Sequence, residues 1–136
     1  MHSSMSIAIG LLVLGANAAT TPSLSSRQDP VLFTYKVGQG SDTCSTLSWT
    51  NLQSFHQSQL PASGCVVWKD FLGGSEIPVV SLIVAETPKN SACTVLLYPD
   101  ASCQSSTQTA LTSLHCGNSP WASTGGWKSF SLRNCI

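Results

Sequence analysis

The residues able to act as nucleophiles, bases or metal ligands are few in this chain, and their spacing gives them little to do. The 136 residues hold six cysteines, three histidines and six acidic side chains. From Val31 onward the acids are Asp42, Asp70, Glu76, Glu86 and Asp100, no two close enough in sequence to form the carboxylate pair that general acid and base chemistry uses. A Ser-His-Asp site can draw on His56 or His115, but no Gly-x-Ser-x-Gly elbow presents a serine to either. His56 follows Phe55 on an expected helix and reads as a surface residue, and His115 stands beside a half-cystine. A papain-like Cys/His site needs a free thiol, which an even cysteine count argues against. Zinc sites use short Cys-x-x-Cys or His spacings, and none occurs; His115-Cys116 alone is not a site. The chain is therefore expected to be non-enzymatic, with no cofactor and no metal.

What the cysteines do instead is staple. Cys44, Cys65, Cys93, Cys103, Cys116 and Cys135 all fall after the expected signal, which predicts three disulfides with many connectivities open. Pairing of neighbours, Cys44 with Cys65, Cys93 with Cys103 and Cys116 with Cys135, is the preferred arrangement. Each bridge contributes about 2–4 kcal/mol by restricting the unfolded chain, comparable with the whole net stability of a small domain.

Residues 1–18 predict a secretory signal. An apolar stretch from Ile7 to Leu14 is followed by Ala16-Asn17-Ala18, the small residues that a signal peptidase accepts. An apolar core of roughly ten residues is half the length of about twenty that a membrane span needs. Residues 19–30 are mostly polar, Ser, Thr and Pro, without periodicity, and read as a tail or short pro-segment in which Arg27 is a candidate processing site. Residues 31–136 form the single expected domain, destined for the extracellular space. Charged residues make up only 9% and the formal net charge is +0. Nucleic-acid binding and membrane insertion, which use clustered Lys and Arg, are not expected.

Within the domain, Val31, Phe33, Tyr35 and Val37 alternate with Thr34 and Lys36, the pattern of a half-buried strand. Leu52, Phe55 and Leu60 recur near helical spacing behind a capping Thr50 or Asn51, which predicts one short helix over 51–60. Strands are expected over 65–71, 77–85, from Cys93 to Tyr98, and over 127–133, with 109–114 either a strand or a helical turn. Pro99-Asp100 marks a turn in which the aspartate bonds its own backbone two residues on. The fold class expected is mainly β: a small disulfide-stapled antiparallel sheet or sandwich with one short helix.

From Cys93 the order is cysteine, apolar strand, Tyr98, Asp100, Cys103, a polar stretch, Cys116, and then Trp127-Lys128-Ser129-Phe130-Ser131-Leu132-Arg133-Asn134-Cys135. This resembles the C-terminal half of small secreted cysteine-rich fungal proteins, the group from which plant-pathogen effectors come. Its closing strand is similar to that of a βγ-crystallin Greek key, a fold shared with killer-toxin-like proteins. The resemblance implies an extracellular protein acting on a host or on competing microbes without catalysis.

Binding has clearer candidates than catalysis. Trp121, after Pro120, and Trp127 flank Ala-Ser-Thr-Gly-Gly, while Leu72 precedes Gly73-Gly74. Aromatic anchors on loops pinned by disulfides bind with little ordering cost, although Trp127, at the start of a strand, also suits a core position. The Pro120-Trp121 pair is similar to the dipeptide in the second binding hairpin of cystatins, whose Gln-x-Val-x-Gly loop has no match here. The expected function is that of a secreted effector, a virulence protein binding a host extracellular protein, and most specifically an inhibitor of a host papain-like cysteine protease that suppresses plant immunity. The alternative is an antimicrobial or killer-toxin-like protein.

Overall fold

The computed structural model describes residues 28–136; the expected signal, Arg27 and most of the expected tail lie outside the described residues. Eight strands form two antiparallel four-stranded sheets packed face to face. In chain order they are β1 (Val31–Gln39), β2 (Gln53–His56), β3 (Cys65–Val67), β4 (Val79–Val84), β5 (Thr94–Tyr98), β6 (Thr109–Leu111), β7 (His115–Asn118) and β8 (Ser129–Arg133). The first sheet runs β2-β1-β4-β7 and the second β3-β8-β5-β6. The mainly β, disulfide-stapled class expected from the sequence is the class observed.

The core between the sheets is aromatic. Phe33 and Phe55 of the first sheet stack with ring centroids 5.1 Å apart, and Phe130 of the second meets both edge-on at 6.1 and 5.4 Å. Edge-to-face geometry suits the ring quadrupoles, and each fully buried ring contributes about 1.5–3 kcal/mol through apolar burial. The alternation read in β1 places Phe33 and Tyr35 in this core, with Val37 packed against it. Leu32 is buried too, because the register shifts between Val31 and Phe33.

β4 and β5 are buried at every position, which a strand in a two-layer sandwich achieves only when something covers its outer face. The 40–50 loop covers the first sheet. Ser81 bonds the Asp42 carbonyl at 3.3 Å, and Cys44 pairs with Cys116, the neighbour of Ile83 across β7. Gly38 makes this possible, since a methyl group at 38 would sit 1.9 Å from the Ser81 hydroxyl. A second loop covers the second sheet. There Asp100 accepts from the Ser102, Gln104 and Ser105 amides at 3.1, 3.0 and 3.1 Å. The turn expected at Pro99-Asp100 is thus formed as read. The buried Ser129 hydroxyl donates to the Asp100 carbonyl at 2.6 Å, and Cys103 crosses β8 to pair with Cys65 on the edge strand.

These bridges correct the neighbour pairing. The disulfides are Cys44–Cys116, Cys65–Cys103 and Cys93–Cys135, with sequence separations of 72, 38 and 42. Two fasten covering loops onto sheets formed by distant strands, and the third closes the ends of adjacent strands β5 and β8, so sequence proximity was the wrong guide. No cysteine is free. Three closed disulfides are the pattern of an oxidising compartment, and no described helix is long and apolar enough to cross a membrane.

The expected helix over 51–60 is not formed. Gln53–His56 pairs with β1 as an edge strand, followed by a single 3-10 turn, Gln57–Gln59. Of the three apolar residues that suggested helical spacing only Phe55 is buried, and it stacks across the strand pair on Phe33. Asn51 takes a left-handed φ of 56°, not the extended geometry of an N-cap. The one α-helical turn among the described residues, α1 (Trp68–Phe71), lies instead in the stretch expected to be all strand. β3 can pair with β8 for only three residues before Trp68 turns inward to pack on Phe130 at 4.5 Å.

Candidate functional site

At the end of the sandwich where Val79 bridges Trp127, the two sheets part around a groove of about 270 Å³. One wall begins with α1. The turn ends with the Leu72 amide bonded to the Trp68 carbonyl at 2.8 Å and the Gly74 amide to the Lys69 carbonyl at 2.7 Å. Gly73 and Gly74 have φ of 73° and 88°, and two successive left-handed residues are what glycine supplies without a Cβ penalty. The chain turns back through Ser75 to Pro78, held from β1 by Gln39, whose side-chain amide bonds the Ile77 carbonyl at 3.0 Å.

The opposite wall is the 121–128 segment. The Gly126 amide bonds the Trp121 carbonyl at 2.8 Å, and Trp127 and Lys128 bond the carbonyls of Val79 and Tyr98 at 2.8 Å each. Gly126 has a φ of 67°, and a methyl group there would sit 2.2 Å from the Val79 carbonyl oxygen, so only glycine fits. Lys128 in turn accepts the Trp68 amide on its carbonyl at 3.0 Å. This ladder fixes both indoles into the floor, where Trp68 and Trp127 are 2% and 1% exposed. Their Nε1–H groups are buried without an acceptor among the described residues.

The structure brings Leu72 and Trp127 together on the groove lining, with Gly73 and Gly74 in the exposed turn beside Leu72. It does not bring Pro120 and Trp121 there: Pro120 is exposed, Trp121 is half-buried against the core, and neither lines the groove. Trp127 is a floor residue and not a projecting anchor, because its backbone is bridged to Val79 from the facing sheet. Sequence reasoning missed Trp68, Lys69, Glu76, Ile77 and Lys128. One signal was present. Pro78 interrupts the apolar run at Ile77, so the strand starts only at Val79 and leaves Ile77 56% exposed.

The groove is apolar apart from Ser75 and three charged side chains. Lys69 Nζ lies 2.7 Å from Glu76, which holds the ammonium above the ordinary lysine range. Lys128 makes no ion pair among the described residues.

The histidines considered for catalysis sit elsewhere. Ser58 Oγ donates to the Asp29 carboxylate, not to His56, whose Nδ1 lies 3.0 Å from the Asp29 carbonyl. Bonds from Ser58 hold the Asp29 carboxyl below its usual range. His115 Nδ1 lies 2.9 Å from the Ser113 carbonyl and 3.1 Å from the Thr112 hydroxyl, both local contacts and neither to a carboxylate. Among the described residues no group of three potential metal ligands converges. No family model, curated protein or solved structure matches the chain.

Proposed function

We propose that this chain is a secreted, non-catalytic binding protein of the effector type, that its partner is an extracellular host protein, and that the groove beside Leu72 is where the partner docks. The observation that carries the reading is the groove itself, an apolar concavity floored by two buried indoles with an exposed isoleucine at its rim. Concave apolar sites with a few placed polar groups are where ligands and partner side chains bind. Both walls are preorganised by glycine turns and backbone hydrogen bonds, so little ordering entropy opposes association. The three disulfides support an oxidising destination.

The specific form of the proposal is inhibition of a papain-like cysteine protease. Gly73 and Gly74 form an exposed turn without side chains beside the groove, and bare backbone of this kind can enter a narrow cleft that a side chain could not. The test titrates the oxidised protein against a papain-like protease and reads labelling of its thiol by an activity-based probe. Loss of labelling is expected, with Ile77→Asp weakening the effect by about tenfold, the cost of placing a charge in an apolar contact. Full labelling at micromolar wild-type protein overturns the inhibitor form. Identification of another extracellular protein bound by the wild type and equally by Ile77→Asp would overturn the groove as the docking site.

A further inference from the structure

We infer that the groove receives an apolar side chain of the partner polypeptide together with an adjacent carboxylate, and that Lys128 holds the carboxylate. The inference rests on the docking reading above and adds the chemistry of the segment that docks. Of the three charged groups on the lining, Lys69 and Glu76 neutralise each other across 2.7 Å, which leaves Lys128 as the unbalanced charge. Its stem lies over Gly125, where a methyl group would sit 3.3 Å from Cε, so the glycine leaves the stem room along the rim.

Size and donor number narrow the occupant. At about 270 Å³ the groove falls below the roughly 300–1,000 Å³ of sites that enclose whole small molecules. A side chain of leucine or phenylalanine, entering from a chain that remains outside, suits it better. A single ammonium, with no guanidinium beside it, matches one monoanionic carboxylate and not a phosphate, which is ordinarily held by several donors. Rim electrostatics of this kind contribute register and specificity more than bulk affinity.

The test uses two acetylated, amidated tetrapeptides, Gly-Leu-Glu-Gly and Gly-Leu-Gln-Gly, titrated into isotope-labelled protein while the indole N–H resonances of Trp68 and Trp127 are followed. Both peptides are expected to move these resonances, the glutamate peptide binding about three- to fivefold more tightly, the range of a partly exposed ion pair. Lys128→Met should abolish the preference and leave the shared binding. Glu76→Gln, which frees Lys69, should increase it. Both substitutions fall at exposed positions, and unchanged indole resonances in the free variants check the fold. Equal binding of the two peptides, or a preference that survives Lys128→Met, overturns the carboxylate inference and leaves groove docking standing. Silence from both peptides, with partner binding still sensitive to Ile77→Asp, overturns the inference as well, because the groove then takes another chemistry. Silence together with loss of that sensitivity overturns both readings.

Discussion

The two ends of the sandwich are closed by different means. At one end Cys93 and Cys135, 0% and 3% exposed, join β5 and β8 within the core, and the chain has no freedom to part. At the other, the link runs between the two sheets and is not a disulfide. The Val79–Trp127 bridge, two left-handed glycine turns and an exposed ion pair do that work, and there the groove opens. A covalent clamp on neighbouring strands leaves no separation between them, whereas a backbone bridge one residue wide holds two layers at a distance that side chains can line. The first end is closed by a covalent bond, and the second carries the groove proposed as the docking site.

Breaking the clamp should have the largest effect. Replacing Cys93 and Cys135 together by alanine is expected to cost about 3–5 kcal/mol in denaturant unfolding, since the bridge closes a long loop and its atoms fill the core. Gly126→Ala comes next, at about 2–3 kcal/mol, because it forces a left-handed residue and a methyl group against the Val79 carbonyl. Unlike the cysteine change it should also disturb the Trp127 indole resonance. If Gly126→Ala lowers stability without touching that resonance, the contrast between the ends fails.

A smaller, pH-dependent effect belongs to Asp100, whose carboxylate is held well below the usual range by the Gln104 amide first and then by Ser102 and Ser105. A depressed carboxyl in the folded state means that the unfolded chain binds more protons, so this contribution is intact above about pH 4 and is lost as pH falls below it. Melting temperature should drop on acidification from pH 5 to pH 2, by less in Asp100→Asn, and a variant as steep as wild type would remove Asp100 from the account. The smallest effect is expected from Glu76→Gln, whose partner is an exposed lysine. It should leave the unfolding curve within error of wild type while altering what the groove binds.

Much of the fold was legible locally. The alternation in β1, the apolar runs of β4 and β5, and the Asp100 turn are each fixed by residues within a few positions of one another; β1, β5 and the turn formed close to where they were read, while β4, read from Ile77, starts only at Val79. The 51–60 segment was not legible, because Phe55 satisfies helical spacing and strand pairing equally until Phe33 is known to lie opposite. The groove was half legible. Leu72 and Trp127 were singled out as aromatic or apolar residues beside glycines, but nothing in the local sequence sets Glu76 and Lys128, 52 positions apart, around one concavity.

The sequence by itself determined the class of molecule: an even set of half-cystines, few charges and period-two apolar patterning permit little except a stapled β domain. Only the tertiary structure decided which cysteines meet, which tryptophans are buried and where the groove lies. These depend on strand order and on loops crossing outer sheet faces, and such long-range pairings leave no trace in local spacing because the residues involved are brought together only when both sheets have formed.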